Sequence, residues 1–365
     1  MSSLFAPVVW IFMAIILGVW IGKIKIGFVS LDLAGILVVA AIVGYWISVG
    51  FPHVWSSDFQ WSMNFLSKLG SALFVSAIGL SAADSVVERG KASAFFSFLF
   101  GAMMVGSGIV TMKLIGYIDP DIEPSLLLGI LCGALTSTPG LTSVCDTDGV
   151  VPELAVIGYG CSYLFGVIGV VLFVQLILKK RNGKAENSPK HKNVVEVHQT
   201  ETLIPIGLSI VLGSIVGEWK APFFDLSLGT AGGILCVAMM IGLLSRKHGP
   251  RLHDTTMSCY RTLGLSMFFV GSGMSAGTKL YTVFQLKWFI YGAIMTVVPI
   301  LIGYAVCRIG FKKSREESAC MIAGGMTSTP AMGILIRNSH SNPDMATYSI
   351  AYLGALLTMV VFGGQ

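Results

Sequence analysis

The sequence predicts an all-α polytopic membrane protein built from two inverted repeats, each of five transmembrane helices plus one re-entrant hairpin. Three observations predict it: a strongly apolar composition, twelve apolar runs that divide six and six, and a polar interruption that occurs once in each half.

Of the 365 residues, 54% are hydrophobic and 12% charged, with a mean hydropathy of +0.78. An average soluble domain carries roughly 25% charged residues, so this chain lacks the polar surface that water demands. Forty-three glycines suit close helix approach and broken helices. The net charge of +5 sits in loop cations. The basic stretches 179–200 and 246–261 are read as topology determinants near anionic lipid, with no nucleic-acid partner. Seven cysteines are scattered without a CxxC pair or a His/Cys cluster at metal-ligand spacing, so no disulfide, metal or cofactor is expected. The first seven residues hold no basic n-region, which marks the first apolar run as a retained span.

In order, the runs are 5–22, 31–49, 65–83, 92–118, 126–144 and 154–178, then 203–216, 226–244, 263–276, 288–307, 319–336 and 345–362. Each crosses or nearly crosses a bilayer. The domains are therefore a first membrane repeat over 1–178, a polar linker over 179–200 and a second repeat over 201–365. Leu69, Gly70, Gly79, Ser81 and Ala82 recur as Leu263, Gly264, Gly273, Ser275 and Ala276 at an offset of 194, and Gly133-Ala-Leu-Thr-Ser-Thr-Pro139 recurs as Gly324-Gly-Met-Thr-Ser-Thr-Pro330 at 191. Two matches at nearly one offset imply an internal duplication.

Orientation follows from the loop cations, which concentrate on the cytoplasmic side. Lys23 and Lys25, Arg89 and Lys91, and Lys179 to Lys184 mark inner loops, whereas the turn 50–61 and the acidic turn 119–124 are outer. Four crossings from an outer N-terminus return the chain outside at Asp119, yet the sixth run must finish inside. The conflict disappears if 126–144 dips in and comes back, leaving the acidic turn 146–153 outside. The second half repeats this upside down, with its hairpin entering from the cytoplasm and the C-terminus outside. On this map 19 of 24 Lys and Arg are cytoplasmic; the exceptions, Lys68, Lys113, Lys220, Lys279 and Lys287, lie near outer ends where long side chains snorkel. Inverted repeats with discontinuous segments meeting near the midplane are the build of secondary transporters.

The hairpin tips are the candidate binding site. Thr136, Ser137, Thr138, Thr327, Ser328 and Thr329 supply hydroxyls, broken helix ends supply N–H groups and partial positive charge, and Pro139 and Pro330 begin the return arms. Together they suit a small anionic or zwitterionic substrate without a buried cation. Ser81 and Ser275 rank second. Gly79 and Gly273 serve either ligand contact or close helix packing. No acid lies in mid-span, because Asp32, Asp84, Glu153 and Asp254 fall near span ends, and all six histidines fall in predicted loops. That argues against an enzyme and leans toward exchange rather than ion-driven symport.

The pattern Leu-Gly-x-x-(Leu/Met)-Phe-(Val/Phe)-x-x-x-Gly-x-Ser-Ala followed by Gly-x-x-Thr-Ser-Thr-Pro, once per half, resembles the aspartate:alanine exchanger family of bacterial permeases. The resemblance covers nearly all of both membrane halves. It implies a secondary active transporter that exchanges small carboxylates or amino acids, aspartate and alanine or a dicarboxylate, by alternating access across the bacterial inner membrane. The family's large cytoplasmic regulatory insert is absent, since only 179–200 stands in its place. A sodium- or proton-coupled carboxylate symporter and a passive anion channel are the alternatives. Analogy of build suggests a homodimer.

Overall fold

The computed structural model describes residues 5–26, 29–30, 33–87, 91–178, 202–218, 229–248, 254–283, 285–328, 331, 335 and 345–363. The linker 179–200, with the expectations placed on it, lies outside the described residues. The first half comprises α1 (Phe5–Gly22), a two-residue antiparallel pair β1 (Lys25–Ile26) and β2 (Val29–Ser30), then α2 (Ala34–Gly50), α3 (Ser57–Val87), α4 (Lys91–Ile118), α5 (Pro124–Ala134), α6 (Thr138–Cys145) and α7 (Pro152–Ile177). The second half comprises α8 (Leu203–Glu218), α9 (Gly229–His248), α10 (Asp254–Val283), α11 (Lys287–Ala305) with a π-helical turn Val306–Gly310, α12 (Arg315–Gly325) and α13 (Met345–Gly363). Among the described residues, four helical stretches, 57–81, 95–118, 152–177 and 287–310, are long and apolar enough to cross a membrane, and shorter apolar helices accompany them. The protein is an all-α, multi-pass membrane protein.

Each predicted run overlaps a helix among the described residues, but two expectations need correction. Helices α3 and α10 extend well beyond 65–83 and 263–276, because a helix continues past lipid wherever its backbone bonds are kept, and Asp58 in the first turn of α3 complements the positive helix end. Lys68 therefore sits within α3, about 16 Å along it from Ser57 at 1.5 Å per residue. The stretch read as a loop over 246–261 is largely helix: Arg246 and His248 belong to α9, and Asp254 and Arg261 to α10.

Glycines set the crossings. Gly18 packs on Ile36, and Gly35 on Gly18 and Gly22; in the second half Gly213 packs on Ile234, and Gly233 on Gly213 and Gly217. With no lipid-excluding force between apolar helices, such close contact of backbones is what binds them. Equivalent helices also cross each other. Gly264 meets Gly70 and Phe74, while Gly271 meets Met63 and Ser67, so α3 and α10 run antiparallel. The same holds for α4 and α11. The Phe96 and Phe311 ring centroids lie 4.4 Å apart at one end, and at the other Lys287 Nζ donates to Asp119 Oδ2 at 2.7 Å.

That last contact makes a pH prediction. The hydrogen bond from Lys287, then that from the Tyr291 hydroxyl, holds the Asp119 carboxyl below its usual value of 3.8. A depressed carboxyl stabilises the fold above its ordinary value and loses that contribution as pH falls through the folded one. Lys287→Met should thus melt below the parent at pH 7, and the gap should narrow below about pH 4, as thermal unfolding of the detergent-solubilised chain will read.

Candidate functional site

Two helix breaks organise the interior, the first of them between α5 and α6 and the second at the end of α12. Helix α5 opens with Glu123 accepting from Leu126 N–H and with Pro124 in its first turn. It ends in a Schellman closure: Ser137 N–H donates to Cys132 O at 2.8 Å and Thr136 N–H to Gly133 O at 2.9 Å. Ser137 then caps α6, its Oγ accepting from Gly140 N–H at 3.2 Å, with Pro139 in the first turn as expected. The second half repeats the closure bond for bond. Ser328 N–H donates to Ala323 O at 3.0 Å, and Thr327 N–H to Gly324 O at 2.8 Å. Thr329 and Pro330 lie outside the described residues.

The position that closes each helix normally holds glycine, because it needs positive φ. Here it holds threonine, with φ 54° at Thr136 and 49° at Thr327. A β-branched residue there costs of order 1–3 kcal/mol and persists only where its surroundings over-determine it. They do so reciprocally. Thr136 Oγ1 donates to Met326 O at 2.7 Å, and Thr327 Oγ1 donates to Leu135 O at 2.9 Å, so each tip satisfies an orphan carbonyl of the other. Glycine would relieve the backbone and lose the bond.

Other side chains close the pair in. Thr296 on α11 donates to Ala134 O at 3.1 Å, and the Thr138 and Tyr159 hydroxyls lie 2.8 Å apart. Tyr159 is fully buried and stacks on Tyr163 with centroids 5.0 Å apart. Ser137 and Ser328 are also fully buried. Ser328 Oγ and the Tyr348 hydroxyl have no hydrogen-bond partner among the described residues.

The structure thus gathers Thr136, Ser137, Thr138, Pro139, Thr327 and Ser328 into one buried locus. The second-ranked candidates are placed otherwise. Gly79 packs against Leu235 and Ala238 of α9, and Gly273 against Leu37 and Ala40 of α2, which is the close-packing role. Ser81 and Ser275 donate to Ala77 O and Gly271 O within their own helices. Two residue groups escaped the sequence reading, Thr296 and the tyrosines. The tyrosines carry a legible signal: Tyr159-x-x-x-Tyr163-Leu164 recurs as Tyr348-x-x-x-Tyr352-Leu353 at an offset of 189. Thr296 has no counterpart hydroxyl in such a pattern, and only the crossing of α11 over α5 reveals it.

A helical membrane bundle with duplicated, interlocked helix breaks at its centre has the build of a permease. The chain belongs to the aspartate–alanine exchanger family (Asp-Al_Ex), described as a predicted permease membrane region, whose model matches residues 10–179 and 205–364. Relatives carry transporter names. An uncharacterized transporter of Bacteroides thetaiotaomicron is 23% identical over 96% of each chain. Its alignment runs over 527 positions, more than the 365 residues here, so that relative carries additional internal sequence. An uncharacterized transporter of Desulfotalea psychrophila is 32% identical over 46% of this chain and 28% of its own. A transport protein of Glaesserella parasuis is 29% identical over 48% of this chain and 32% of its own.

Proposed function

We propose that this protein is a secondary active transporter of the bacterial inner membrane that exchanges small carboxylates or amino acids by alternating access, with two inverted repeats presenting re-entrant hairpin tips to the substrate. The observation that carries the proposal is the reciprocal pair of hydrogen bonds between strained tips, Thr136 to Met326 and Thr327 to Leu135. Two-fold bonding between equivalent residues is what a central axis between repeats produces.

The antiparallel courses of α3 with α10 and of α4 with α11 support inversion, because a two-fold axis along the membrane normal would leave equivalent helices parallel. Re-entry is supported by length and return. The eleven residues of α5 rise about 16 Å, roughly half a hydrocarbon core of about 30 Å. Val151 N–H, just before α7, donates to Ser125 Oγ at the start of α5, so α6 brings the chain back to where α5 began. On this reading the tip hydroxyls and the N-terminus of α6 receive the substrate carboxylate when the reciprocal bonds open.

Counterflow into proteoliposomes tests the assignment. Vesicles preloaded with aspartate, alanine, glutamate or succinate should take up the labelled partner, and empty vesicles should not. Equal uptake by loaded and empty vesicles would point to a channel, and a flat response across the panel would remove the substrate assignment.

A further inference from the structure

A polar cavity of about 340 Å³ opens beside the end of α6, a volume within the usual range of small-ligand sites. Its walls are Lys68 and Ser71 of α3, residues 145–150 of the turn before α7, and Thr230 and Ile234 of α9. One side chain in it is poorly provided for. Asp146 is half-buried and occupies the C-cap of α6, where the helix end carries partial negative charge and disfavours another anion. Asp148 shares its turn, and Glu153 follows at the start of α7. The charged group facing it is Lys68 on α3; α9 contributes only Thr230 and Ile234 to the wall.

Two other outer-turn carboxylates are paired with lysines. Asp119 has Lys287 at 2.7 Å, and Glu153 has Lys279 at 3.2 Å. Asp146 has no ion pair among the described residues, and Lys68 stands exposed across the cavity rather than in contact with it. A carboxylate half out of water, at the wrong end of a helix and without a bonded cation, is best satisfied by a proton.

We propose that this cavity is the binding site of a coupling proton, carried on the Asp146 carboxylate and opposed by the Lys68 ammonium. The site rests on the transporter reading. In it a proton passes from cavity water to a carboxylate oxygen, forming one O–H bond, and returns to water when the carboxyl is hydrated again; no other bond changes. Asp146 joins the hairpin arm that begins at Ser137, so its protonation state acts on the same rigid piece that carries the first tip. This places an acid at the foot of the hairpin, where the hydropathy pattern reads only a solvated turn.

The test uses the full chain and two readouts. In infrared difference spectra, a protonated-carboxyl stretch should titrate with a midpoint of about 6, since burial pushes Asp146 up and Lys68 pulls back only in part. The band should vanish in Asp146→Asn, move to higher pH in Lys68→Gln and persist in Asp148→Asn. In proteoliposomes, exchange should change at least threefold between external pH 7 and 5 in the parent and stay flat in Asp146→Asn. A missing band, or a parent pH profile kept by Asp146→Asn, would overturn the proposal. A parent that moves no substrate would sink the transporter reading instead, while the infrared titration still decides the proton site.

Discussion

Thr136→Val is expected to cut exchange at least tenfold and to lower the melting temperature, whereas Thr136→Gly is expected to cut exchange equally while melting closer to the parent. Valine keeps the β-branch and the positive φ but removes the donor, leaving the buried Met326 carbonyl without its 2.7 Å partner. An unsatisfied buried acceptor costs about 1–3 kcal/mol, and each 1.36 kcal/mol of differential effect on the barrier is tenfold in rate. Glycine loses the same bond but releases strain of about 1–3 kcal/mol. The two variants therefore separate strain from bonding. The double variant Thr136→Val with Thr327→Val should fall short of the product of the single losses, because both bonds bridge the same two loops. Wild-type exchange in Thr136→Val would remove the tips from the mechanism.

The second large effect is expected from one methyl group. Gly129→Ala should yield little monodisperse protein, because its Cβ would strike the Ala155 carbonyl where α5 lies on α7. Backbone cannot rotate aside as a flexible side chain does, and overpacking of this kind costs typically about 1–3 kcal/mol and occasionally more. Gly106→Ala is the matched control. Nothing lies within 4 Å of a Cβ at that site in α4, so the change should be neutral or stabilising by up to about 1 kcal/mol. Size-exclusion profiles after detergent extraction, followed by thermal unfolding, read both. Equal behaviour of the two variants would contradict the close approach of α5 and α7.

Glycines beside the breaks also explain how a break can be held so firmly. Gly133 packs against Tyr159 and Ser162, and Gly324 against Tyr348 and Ala351, so each arm is seated on the helix that follows it. Within that seat the Schellman closures satisfy the last carbonyls of α5 and α12, and the threonine hydroxyls satisfy one more on the opposite tip. Polar backbone at membrane depth is tolerated only when it is satisfied in this way. The tips are thus bonded to each other in the structure described.

Much of this was legible along the chain. Long apolar runs announce their helices because hydropathy is a local property, and the interruptions at 133–139 and 324–330 announce breaks because proline and glycine constrain their own backbone. Charged helix ends were less legible. The window that finds lipid-facing residues stops at the first polar stretch, so the extensions of α3 and α10 escaped it.

The sequence by itself determined the membrane class, the duplication and the two places where helices must break, since composition, offset and backbone restriction need no neighbours. Only the tertiary structure decided that the breaks touch, that equivalent helices run antiparallel, and that Gly79 and Gly273 serve packing while Tyr159 and Thr296 bond to the first break. Those facts depend on which surfaces meet across some 190 residues of chain. That meeting is governed by the fit of whole helix faces against one another and is not encoded in any one segment.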